Sequence, residues 1–128
     1  MSTVKINVNY LADTALDWAV GVALGHDMSK AVNYGAYIRI PCSANPPHTV
    51  MFCPTTNWHQ AGPIIEKECI EISCIHTTGW TPDTWTARHP QRHIVNGPTP
   101  LIAAMRCYVA SKLGDIVEVP RELYKEEN

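Results

Sequence analysis

No apolar run in this sequence approaches the ~20 residues that a bilayer span needs. The opening Met1-Ser2-Thr3-Val4-Lys5 has no basic-then-apolar leader pattern. No membrane partner is expected, and the default compartment is the cytoplasm. Cysteines at disulfide or metal spacing are missing too. Cys42, Cys53, Cys69, Cys74 and Cys107 are an odd number with no C-x-x-C, which argues for reduced, structural thiols. Positive charge is scarce: 10 Lys plus Arg against 12 Asp plus Glu, for a net charge of −2, leave no electrostatic footprint for duplex nucleic acid. The chain also lacks a P-loop, a G-x-G-x-x-G and a serine elbow. His89 and His93 stand four apart, but Pro90 between them spoils a helical presentation and no third ligand is obvious, so no metal is expected. No cysteine sits in a recognisable elbow or helix start for a Cys–His nucleophile. The leading expectation is a binding protein with no cofactor, and a hydrolase or transferase acting on a nucleotide is the minority reading.

At 128 residues the chain is read as one domain. Its plainest element runs from Asn96 to Gly114. Thr99 reads as an N-cap, Pro100 as the first helical residue and Gly114 as the glycine past the last turn. Leu101, Ile102, Met105, Tyr108, Val109 and Leu113 fall on one broad face, while Ala103, Ala104, Cys107, Ala110 and Ser111 fall opposite. A helix so poor in charge is covered on both sides, either as the central helix or as the seam of a dimer. Arg106 stands at the edge of the apolar face and needs an acceptor, a carboxylate or an anionic ligand.

A second helix is expected from a cap at Asp13 or Thr14 to Leu24, closed by Gly25, with Asp17 its only interior charge and Trp18 pointing away from the core stripe. Period-two alternation predicts strands over 5–10, 34–40, 49–53 and 69–75, with a partner near 84–88. Residues 41–48 and 89–93 read as Pro-containing polar loops, 81–84 as a turn, 115–120 as a short extended segment and 121–128 as a frayed tail. Asn57 caps a short turn that Gly62-Pro63 breaks, giving two half-turns with free N–H groups where they meet, which attract an anion. The fold class is α+β: a small antiparallel sheet packed on two main helices, about 13–24 and 99–113, with long Pro-rich loops.

For any one of Trp18, Trp58, Trp80 and Trp85 a place in the core is the ordinary reading. Trp58 and Trp80 each stand among Gly, Pro, Asn and Thr, where a pocket for a flat polar ring is the competing reading. Arg106, Lys112, Arg39 and Lys67 are candidate phosphate partners, with Glu66, Glu68 and Asp17 as the carboxylates that could pair them instead.

Ala15-Leu16-Asp17-Trp18-Ala19-Val20, then Asn57-Trp58 with Gly62-Pro63-Ile64-Ile65-Glu66, then 97–115, together resemble the NinX-like family of small phage proteins. That family usually reads Asp-Trp-Ala-Gln-Gly-Gly-Pro where this chain has Asn57-Trp58-His59-Gln60-Ala61-Gly62-Pro63. The resemblance implies a phage accessory protein, dispensable for building virions, acting in the host cell cytoplasm; it supplies no reaction. Small phage proteins of this kind often disarm host defence by trapping a nucleotide messenger. The expected function is therefore sequestration of a small phosphate-bearing nucleotide-type signal, by a homo-oligomer joined through the small-residue helix face. Trp58 and Trp80 would stack on the ring, Arg106 and Lys112 would meet phosphate, Thr99, Asn57 and Gln60 would read polar groups, and Gly62 would offer backbone N–H. The alternative is a protein-interaction module for a replication or recombination factor, with Trp80 or Trp85 and the 41–48 loop as its exposed patch.

Overall fold

The computed structural model describes residues 2–41, 48–76, 79, 84–91 and 93–124. The chain runs β1 (Thr3–Asn7), α1 (Asp13–Leu24), β2 (Val32–Asn33), β3 (Ile38–Pro41), β4 (Thr49–Phe52), α2 (Trp58–Glu68), β5 (Glu71–Ile75), β6 (Thr84–Arg88), β7 (Ile94–Gly97), α3 (Pro100–Leu113) and β8 (Ile116–Pro120). The α+β reading holds, with two differences. Among the described residues there are three helices, not two, and the strands form three small antiparallel sheets, β1-β8, β2-β3-β4 and β5-β6-β7, where one was expected.

α3 is the centre. Thr99 Oγ1 accepts from the Ile102 N–H at 3.1 Å, Pro100 opens the helix, and Gly114 closes it with its N–H on Ala110 O. Nine of its residues from Leu101 to Ala110 are buried, including Ala103, Ala104, Cys107 and Ala110. The small-residue face is thus covered within the chain by β5-β6-β7, and α3 is the central helix, not a dimer seam. Gly97 shows how close that packing is: a Cβ there would lie 2.6 Å from Ala103 N, so only glycine lets β7 approach α3. On the other side, the Tyr108 hydroxyl donates to Ala23 O of α1 at 3.4 Å.

Sequence reading missed β7, which lies inside the expected approach to α3 and pairs with β6 from Trp85↔Gly97 to Arg88↔Ile94. Two alternating residues, Ile94 exposed and Val95 buried, are too few to register as a strand before a Gly-Pro. The expected break at Gly62-Pro63 is absent: α2 passes through Pro63 as one helix. Gly62 carries no Cβ to clash with the proline ring, and Pro63 forfeits only one backbone bond. The 34–40 strand shortens to Ile38–Pro41, because Asn33 Oδ1 accepts from Gly35 N–H and Tyr34 N–H donates to Tyr37 O, folding that stretch into a hairpin turn with β2. Residues 121–124 are not frayed: Arg121 N–H donates to Ser2 O at 3.1 Å and Leu123 is buried. The 42–47 part of the polar loop, the 81–83 turn and 125–128 lie outside the described residues.

Candidate functional site

α1 begins without the expected side-chain cap. Ala12 takes the N-cap position and makes no side-chain bond, and Asp13 follows with φ +53°. Asp tolerates this left-handed region better than most residues, yet it remains strained backbone of a kind that gathers at binding sites. The uncapped first turn opens into a cleft of about 1100 Å³. Its lining comes from the turn before α1 (Tyr10), the start of α1 (Asp13, Asp17), the β2–β3 turn (Tyr37), the end of β4 and the turn after it (Met51, Thr55), α3 (Arg106) and the C-terminal turn (Tyr124).

Two buried polar side chains stand in that lining. Asp17 is 3% exposed, and its Oδ1 accepts the Thr55 N–H at 2.9 Å. Burial pushes its carboxyl up to about 7 against the lowering effect of the Thr55 bond, with Asp13 adding a smaller upward push. Thr55 is also 3% exposed. Its hydroxyl lies near enough to Asp17 to act on that titration, but it makes no hydrogen bond of good geometry to anything. A buried hydroxyl without a partner is rare in folded proteins. Arg106 meets the same cleft from α3; its Nε donates to Leu11 O at 2.7 Å and one terminal nitrogen donates to Asn96 O at 3.0 Å, tying the chain just before α1 to β7.

The other residues singled out from sequence are placed elsewhere. Asn57 Oδ1 caps α2, accepting from His59 N–H at 2.9 Å and Gln60 N–H at 3.3 Å. Gln60 Oε1 accepts from Cys53 N–H, and its Nε2 donates to Met51 O, both at 2.7 Å. These side chains do not line the cleft; they hold the Cys53–Asn57 turn that presents Thr55 to Asp17. Thr99 is engaged in capping α3, and Gly62 lies inside α2 with no bare N–H cluster beside it. Trp58 is 57% exposed at the first position of α2, and Trp80 lies outside the described residues. Arg39 holds the β3–β4 hairpin through Thr49.

Lys112 pairs with Glu68 at 3.3 Å. Glu68 also takes the Nε2–H of buried His89 at 3.0 Å, while His89 Nδ1 accepts from Gln91 N–H, which fixes the tautomer. The His89 bond, with Lys112 helping, holds the Glu68 carboxyl below its usual range. This cluster fastens α2, α3 and the β6–β7 loop. Cys107 is equally structural: burial pushes its thiol up to about 11, and it donates to His93 O at 3.3 Å. Among the described residues, Cys53, Cys69, Cys74 and Cys107 are free thiols, and no group of three or more His, Cys, Asp or Glu could hold a metal ion.

Sequence reasoning therefore brought Arg106 to the cleft and missed Thr55. Asp17 is legible as the lone interior charge of an apolar helix, but the sequence offers it only as one of three carboxylates that could pair a cation. No helix among the described residues is long and apolar enough to cross a membrane. The family model described as Bacteriophage P22, NinX matches residues 7–112, and the chain belongs to that phage family. No curated protein matches the chain.

Proposed function

We propose, starting from membership of this phage family, that the protein binds a small nucleotide-type ligand in the α1 cleft and sequesters it without turnover. The observation that carries the reading is the join of three features in one cleft of about 1100 Å³: an uncapped helix start, a buried carboxyl and a buried hydroxyl lacking a partner. The volume suits a ligand at the large end of the range for small-molecule sites. The first turn of α1, where the N-cap residue makes no side-chain bond, favours an anion at that end, as helix starts do for phosphate. Tyr10, Tyr37 and Tyr124 supply flat faces for a ring, the part that the sequence suggests for Trp58 and Trp80. In a phage protein, a signal of host defence is the ligand such a trap would hold.

Isothermal titration of the folded protein with cyclic di-AMP, cyclic di-GMP, ADP-ribose and the four ribonucleoside 5′-monophosphates tests the reading. Heat from at least one, with the ligand recovered intact after denaturation, is expected. No heat from any of them contradicts it, and recovery of a cleaved product replaces binding with hydrolysis.

A protein-interaction role is the second reading, on a different observation. β4 is an outer strand with Val50 and Met51 exposed, and Trp58 stands exposed at the start of α2, which Gln60 ties to β4. Capture of a replication or recombination factor from infected cells, abolished by Val50→Lys while nucleotide heats are unchanged, would favour it. Any homo-oligomer must use a surface other than the small-residue face of α3, which is already covered.

A further inference from the structure

We infer that Asp17 and Thr55 form a hydrogen-bonding floor for a ring edge that presents an N–H donor beside an acceptor, the pattern carried by every nucleobase. The inference deepens the nucleotide reading of the cleft and rests on it. Its warrant is local geometry. The turn from Cys53 to Asn57 is held by bonds from Thr56 N–H and Asn57 N–H to Cys53 O, by the Asn57 cap and by Gln60. Within that rigid turn, Thr55 uses its N–H on Asp17 Oδ1, so carboxyl and hydroxyl are held side by side from elements 38 residues apart. The hydroxyl can donate or accept, and the carboxylate accepts, which together match one donor and one acceptor on a planar edge. The Thr55 hydroxyl, on a residue 3% exposed in the lining of the cleft, acts on the Asp17 carboxyl but makes no hydrogen bond of good geometry.

The chemistry gives the floor a pH signature. An N–H donor from a ligand bonds the ionised carboxyl more strongly than the protonated one, so a ligand held this way favours loss of the Asp17 proton when the pH is below about 7. Affinity therefore falls as the pH is lowered from 8 to 6, by up to about tenfold per unit. The titratable and charged side chains around Asp17 in the cleft are Asp13 on the same helix, Arg106 from α3, Tyr10, Tyr37, Cys53 and Tyr124. All six are unchanged in Asp17→Asn, so the difference between the two proteins isolates the one carboxyl. A cyclic dinucleotide, whose diester phosphates do not titrate in this range, keeps the ligand's own charge constant.

The test uses the full chain, the nucleotides above and ribose 5-phosphate, with wild type, Thr55→Val and Asp17→Asn. Thr55→Val deletes the hydroxyl while keeping shape and backbone bond. It is expected to melt at or slightly above the wild-type temperature and to bind the nucleotide about tenfold more weakly. Asp17→Asn is expected to lose at least as much and to show no pH dependence with a cyclic dinucleotide. Ribose 5-phosphate, which lacks the base, is expected to bind all three proteins alike. If wild type binds a nucleotide but Thr55→Val and Asp17→Asn match it, or if ribose 5-phosphate is sensitive to them, the floor is wrong while the cleft stands. If wild type binds no nucleotide, the cleft reading falls and takes the floor with it. Should Thr55→Val melt well below wild type, the hydroxyl is structural and the inference is overturned.

Discussion

The two sides of the central helix are built to different standards. Toward β5-β6-β7, α3 packs with no slack: Gly97 sits where a Cβ would strike Ala103, Cys107 finds the His93 carbonyl, and Glu68 is met by both His89 and Lys112. Toward α1 and the β2-β3-β4 sheet, rules are broken together. A helix starts uncapped, a non-glycine residue holds a positive φ, a carboxyl is buried against its preference for water, and a hydroxyl has no partner. One such lapse is ordinary, but four within one cleft mark the place where the fold gives up stability for another purpose.

That contrast can be broken by mutation, beginning with the packed side. Met105 is fully buried in α3, and Met105→Ala is expected to cost about 3–5 kcal/mol in denaturant unfolding, by lost burial plus the cavity left behind. On the cleft side the sign reverses. The folded-state carboxyl of Asp17 is raised to about 7 from 3.8, so the folded protein holds that proton more tightly than the unfolded chain does. Ionisation above pH 7 therefore weakens the fold, and stability from this group is regained as the pH falls through 7 toward 4. Asp17→Asn should stabilise the protein at pH 8 by about 2–3 kcal/mol, with the gain shrinking toward pH 4. Equal stability of the two proteins at pH 8 would remove the strained-cleft account.

The smallest expected change is at Glu68→Gln, which weakens the bonds to His89 and Lys112 and should cost about 1–2 kcal/mol at pH 7. Glu68 is held below its ordinary carboxylate value, so its contribution is present above that value and is lost as the pH falls through the lower folded one. Acidification should thus narrow the gap between wild type and Glu68→Gln while also narrowing the gap at Asp17. Urea titrations at pH 8, 6 and 4 read both.

The packed side was the legible side. Thr99, Pro100 and Gly114 announce α3 because caps are local chemistry, and its pattern of large and small residues foretold burial all round. α1 was found from its stripe but not its start, since the left-handed Asp13 and the bare Ala12 cap follow from the tertiary setting and not from residue preference. The Gly62-Pro63 pair misled for a related reason: proline breaks helices on average, but a preceding glycine removes the clash that makes it do so. In the cleft, Arg106 stood out as a charge on an apolar helix. Thr55 could not, because its distinction is a missing partner across a 38-residue separation from Asp17. Asn57 and Gln60 read from the sequence as polar contacts for a ligand, whereas in the structure their side chains hold the turn behind Thr55. Asn57 also explains how the chain dispenses with the family's aspartate there, since either side chain can cap a helix.

Amide chemical-shift mapping tests the location directly. Isotope-labelled protein is titrated with the nucleotide that gives the largest calorimetric heat, and the backbone N–H signals are followed. The account predicts that the largest shifts fall on Ala12 to Asp17 and on Thr55 and Thr56, with little movement around Glu68, His89 and Lys112. Shifts centred on Trp58 or on the β6–β7 loop, with the start of α1 silent, would contradict it.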